Sequence, residues 1–113
     1  MEAGAVEVKV TYGSGNVFAD LNLPEPEQLM AKARLASAII DVIEARGLTQ
    51  TKAAKIIGID QPKVSKIVRG NLTEFSTERL MAFLVRLGSD IDIVVHRQVS
   101  NEQHEGRISV VCV

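Results

Sequence analysis

The chain has a single cysteine, Cys112, which cannot close an internal disulfide; this suits a protein of the cytoplasm. No apolar run approaches the length of a membrane span, so no membrane partner is expected. An export signal is not expected either: Met1-Glu2 opens an acidic segment, with no basic residues leading into an apolar stretch. There is no glycine-rich phosphate loop with a lysine, no nucleophile motif and no acid pair beside a histidine. Gly13-Ser14-Gly15 is too short and isolated to be more than a turn. His96, His104 and Cys112 fit the spacing of no standard zinc finger and lack a fourth ligand. These absences argue against an enzyme, a metal site and a cofactor.

What the chain does have is apolar content and a segregated charge. Its 113 residues are 46% hydrophobic, enough for one domain with one modest core and too much for disorder. The net charge of −1 hides an uneven distribution. Residues 47–71 carry Lys52, Lys55, Lys63, Lys66 and Arg69 against Asp60 alone, a net +4. Residues 1–31 carry Lys9 against Glu2, Glu7, Asp20, Glu25 and Glu27, a net −4. Basic charge gathered on one stretch is the footprint expected of a nucleic-acid binder. The acidic N-terminal stretch either keeps the protein soluble or meets a second, cationic partner.

The basic stretch, LTQTKAAKIIGIDQPKVSKIVRGN over residues 48–71, reads as two short helices joined by a tight turn. Thr49 is a good N-cap for the first, which ends at Gly58. Asp60 is a good N-cap for the second, with Pro62 in its first turn, and Gly70 closes it. Ala53 and Ala54 let the helices cross closely, while Ile57, Ile59, Val64 and Ile67 supply the apolar side. The pattern predicts a helix-turn-helix whose second helix is offered to DNA.

Around the motif, Pro24 and Pro26 flank the start of a long helix running to Arg46 and stopped by Gly47. Leu29, Ala33, Ala36, Ile40 and Ile43 form its expected buried stripe, widened by Leu35, Ile39 and Val42. Lys32 and Arg34 read as solvated charges. After a loop over residues 72–75, Ser76 caps a helix with Phe75 and Leu80 at staple positions; Leu80, Phe83, Leu84 and Leu87 form its stripe, and Gly88 ends it. Val6, Val8, Val10 and Tyr12 alternate with polar residues as in a half-exposed strand. Residues 90–95 and 107–113, rich in Ile and Val, read as two strands joined by a polar loop. A lone two-stranded hairpin is marginal in water. It therefore pairs with the N-terminal strand, with a second subunit, or with both. The expected architecture is mainly α: four to five helices over residues 24–88, short flanking strands, an N-terminal arm over 1–23 and a dimerising hairpin over 89–113.

Thr49-Gln50, Ala54, Gly58-Ile59, Gln61-Pro62, Val64-Ser65 and Arg69-Gly70 match the spacing of the lambda-repressor-like (XRE-type) helix-turn-helix family, which the chain resembles over residues 24–88. It departs from the family at Val68, where many members carry an acid. From motif position, Gln61, Lys63, Ser65 and Lys66 are the expected base contacts, and Gln50, Lys52, Arg69 and Asn71 the expected phosphate contacts. The run from Ser14 to Leu21, the Pro-Glu helix start and the tail Asp90-Ile91-Asp92-Ile93-Val94-Val95 resemble antitoxins of HigA type. That resemblance implies a homodimer that represses its own operon and binds a small ribonuclease toxin of RelE/HigB type. Val17, Phe18 and Leu21 in the arm are the candidate partner anchors. The alternatives are a stand-alone, phage-like repressor with no protein partner, and an interaction module that has lost DNA binding. The last predicts a depleted basic face, which this sequence does not have.

Overall fold

The computed structural model describes residues 25–97 and 106–113. Among these it holds four helices: α1 (Glu25–Ala45), α2 (Gln50–Ile57), α3 (Gln61–Val68) and α4 (Thr77–Arg86). The mainly α architecture with a helix-turn-helix is as expected. The strand expected over residues 6–12 and the anchors Val17, Phe18 and Leu21 lie outside the described residues.

Local chemistry sets the helix ends. The Thr49 side chain accepts from the Lys52 amide at 3.1 Å, and the Ser76 side chain accepts from the Arg79 amide at 3.1 Å, each removing an orphan donor. Asp60 holds the N-cap position of α3 with extended backbone, but its side chain makes no cap hydrogen bond, contrary to expectation. Pro62 at the first turn still favours the start, because its missing N–H is one that has no helical partner. Gly58 ends α2 at φ 90°, and the amides of Gly58 and Ile59 both donate to the Ala54 carbonyl, at 2.8 and 3.1 Å. Only glycine takes that backbone without strain. A Cβ there would also lie 2.7 Å from Arg86 Nη1, so a side chain at this position would push the guanidinium off the Ile57 carbonyl.

The core joins α1 to α4 and α2 to α3. Ile39, Ile57, Val64, Ile67, Leu80 and Phe75 are fully buried, with Ala53 and Ala54 at the close crossing of the two motif helices. Leu80, Phe83, Leu84 and Leu87 are all inside, as their spacing predicts.

On α1 the expected stripe is displaced. Leu29 is 57% exposed and Ala33 is exposed, while Ala31, Leu35, Ala36, Ile39 and Ile43 are buried. Apolar residues lie on most sides of this helix, so periodicity alone could not choose the face that α4 covers. Lys32, expected in solvent, is buried at 8% exposure. A lysine tolerates this because its methylene stem packs while its ammonium reaches outward. Arg34, also expected to be solvated, is exposed but engaged: it donates to the Val110 carbonyl at 3.4 Å, and the Cys112 thiol donates to the Arg34 carbonyl at 3.8 Å.

Residues 91–97 and 106–113 carry no helix or strand, and no strand ladder is present among the described residues. A strand needs a partner for its backbone donors and acceptors, and composition rich in Ile and Val cannot supply one.

Two arginines tie distant helix ends together. Arg46 donates to the Leu87 carbonyl at the end of α4 (3.0 Å), and Arg86 donates to the Ile57 carbonyl at the end of α2. Cations at helix C-termini satisfy orphan carbonyls and complement the helix dipole. Through Arg86, α4 fixes the turn that sets the angle between α2 and α3.

Candidate nucleic-acid interface

The two motif helices begin side by side. Gln61, first residue of α3, donates its side-chain amide to the side-chain oxygen of Gln50, first residue of α2, at 2.7 Å. The expected base reader and the expected phosphate anchor are thus joined. A glutamine amide has two N–H donors and one oxygen acceptor. This bond uses one donor, leaving Gln61 one N–H and its oxygen, the pair needed to meet an adenine edge in a bidentate manner.

Further along α3, Ser65 Oγ accepts from Arg69 Nη1 at 3.0 Å. That i, i+4 contact draws the guanidinium back along the helix. Lys63 and Lys66 are half-buried on α3, and Lys52 is exposed on α2. Past the end of α3 the Asn71 amide donates to the Lys66 carbonyl at 2.9 Å across Gly70, and the Asn71 side-chain oxygen accepts from Thr73 Oγ1 at 3.2 Å. Asn71 is therefore held in the turn rather than extended. Val68, at the family's usual acid position, is 38% exposed.

One acidic residue, absent from the expected site, enters this surface. Lys66 Nζ lies 2.7 Å from Glu74 Oε1, both side chains being more than a third exposed. The hydrogen bond from Lys66 holds the Glu74 carboxyl below its ordinary range, with Lys63 and Arg79 adding positive potential. The carboxylate therefore stays ionised at neutral pH, and the pairing is lost only as pH falls through that lowered pKa. The loop carrying it is firmly seated: Phe75 is 1% exposed and its amide donates to the Leu72 carbonyl at 3.1 Å. Eight residues separate Lys66 from Glu74, and only the fold of the intervening turn brings them together.

Two short helices crossing on small residues, with amides and cations along the second, make up a helix-turn-helix with an outward-facing recognition helix. A family model described as a helix-turn-helix domain matches residues 17–96. A solved structure described as a putative XRE family transcriptional regulator is similar to the chain at 42% identity and a TM-score of 0.71, covering 80% of this chain and 100% of its own. No curated protein matches. The chain belongs to the XRE-type helix-turn-helix family of DNA-binding transcriptional regulators. Among the described residues, no helix is long and apolar enough to cross a membrane.

Proposed function

We propose that the protein is a sequence-specific operator-binding repressor that acts as a homodimer. The observation that carries this reading is the Gln50–Gln61 bond, which orients an exposed amide at the N-terminus of α3, where a recognition helix meets base edges. In this reading Gln61 reads adenine, while Lys63, Lys66 and Ser65 lie toward the groove. Lys52, Gln50, Arg69 and Asn71 hold phosphates. Gln61→Ala is expected to cost about 1–3 kcal/mol on the operator and to relax preference at one base position. Binding measured on the operator and on random duplex distinguishes the roles, since equal loss on both would remove Gln61 as a reader.

Within that class, the reading we favour is an antitoxin that also neutralises a ribonuclease toxin. It is supported by the HigA-like run from Ser14 to Leu21 and by the acidic balance of the arm itself, Glu2, Glu7 and Asp20 against Lys9, a net −2 over residues 1–23. A ribonuclease must be cationic where it holds RNA, so an acidic arm anchored by Val17, Phe18 and Leu21 can cover that surface. Removing residues 1–23 should abolish neutralisation of a co-expressed toxin while operator affinity stays within a few-fold. Loss of folding or of dimerisation would make the arm scaffold and leave the stand-alone repressor as the better description.

A further inference from the structure

Glu74 is a carboxylate set beside the cations expected to meet DNA, where charge repulsion alone would disfavour it. Its pairing with Lys66 offers little to folding, because exposed ion pairs contribute little to stability. Its position is nonetheless fixed. Phe75 locks the loop into the core, and Arg79 donates to the Glu74 backbone carbonyl at 3.5 Å while its guanidinium lies over the rings of Phe75 and Phe83. The groups around the carboxylate are Lys66 in direct contact, with Lys63 and Arg79 nearby. A rigid loop therefore presents an acid to one particular lysine of the recognition helix.

We propose that Glu74 is a specificity-determining residue that acts through Lys66, holding the ammonium away from the phosphates of non-cognate DNA. Non-specific affinity comes almost wholly from cations that replace counterions on phosphates. A lysine 2.7 Å from a carboxylate forms a pair of no net charge, which adds little to that pool. On an operator, Lys66 keeps Glu74 on one of its three N–H donors and gives the others to O6 and N7 of a guanine, a neutral base edge that the carboxylate does not repel as it repels a phosphate. Discrimination then arises from a penalty on wrong sequences as much as from the gain on the right one. The inference rests on the DNA-binding reading given above and adds to it a role for an acid that this reading leaves unused.

The test uses the full-length chain, an operator duplex selected by the wild-type protein from a random-sequence library, and a mixed-sequence duplex of the same length. Binding is measured across a salt series for wild type, Glu74→Gln, Lys66→Gln and the double variant. Glu74→Gln should tighten binding to mixed-sequence DNA roughly five- to tenfold near 0.1 M salt, and steepen its log K against log salt slope by about 0.9, the share of one released phosphate contact. The operator should gain less, so the specificity ratio falls. In the Lys66→Gln background, Glu74→Gln should change neither slope nor ratio. An unchanged slope for Glu74→Gln overturns the proposal, as does an equal effect with Lys66 absent, which would assign Glu74 to direct repulsion of DNA. If the wild-type chain selects no duplex at all, the DNA-binding reading itself fails, an outcome distinct from either of these.

Discussion

Phe75→Ala should cost about 3–5 kcal/mol of stability, the range for truncating a fully buried phenylalanine. A domain of this size has a total stability of roughly 5–15 kcal/mol, so the variant should be close to unfolding at physiological temperature. Phe75 is not in a helix. It sits in the turn between α3 and α4, 1% exposed, with its ring 6.1 Å from that of Phe83 at an interplanar angle of 78°. The Arg79 guanidinium lies 5.4 and 5.5 Å from the two ring centres, adding a cation–π contact that truncation also loses. With Leu80 the ring forms the staple that sets the entry angle of α4. Urea unfolding followed by circular dichroism measures the loss. A change below about 1 kcal/mol would mean that the site collapses around the missing ring and that Phe75 does not hold the loop. The effect should reach the DNA face as well, because the same loop carries Glu74 and follows the end of the recognition helix.

The parts of this fold that were legible in the sequence are those decided within one turn of chain. Thr49, Gly58, Ser76 and Gly88 punctuate the helices because their roles depend on local backbone geometry, and α4's stripe is legible because its large apolar residues, Val85 apart, recur at helical spacing on one side. Where a residue's place depends on distant chain, the signal fails. Leu29 and Ala31 are equally plausible core residues until the rest of the chain is set against α1, and only Ala31 is inside, beside residues 107–110. Arg46 and Arg86 bond carbonyls 41 and 29 residues away, which no local pattern records. Lys66 reads as a free cation, yet its nearest acid reaches it across a turn. Asp60 marks the limit of even local reasoning: it stands at the right position, while Pro62 and the motif's packing start the helix without its side chain. The residues expected at the DNA face lie on α2, α3 and the turn after α3. The bonds that organise that set are a product of the tertiary fold.

Removing residues 90–113 should leave a folded domain and weaken operator binding roughly 10²–10⁴-fold, through loss of the second binding event rather than of any base contact. The tail adds little to the core of its own chain. Among its described residues only Ile91 and Val110 are half-buried against it, and the bonds described between tail and α1 are the long contacts of Arg34 and Cys112. Meanwhile Ile93, Val94 and Val95 are 82%, 70% and 80% exposed, and Val111 is 74% exposed. A run of large aliphatic side chains left in water is the usual mark of an interaction surface. Extended segments of two copies could satisfy one another's backbone groups and cover these side chains together, which a lone hairpin cannot do. Function requires the same pairing, since one eight-residue recognition helix spans too few base pairs for useful selectivity. Two copies related by a two-fold axis would read half-sites about 34 Å apart or a multiple of that spacing. Sedimentation of the truncated chain should give a monomer, and its affinity for a single half-site should equal that of the full chain. If the truncated chain remains dimeric, the interface lies on the helices; if it unfolds, the tail belongs to the core.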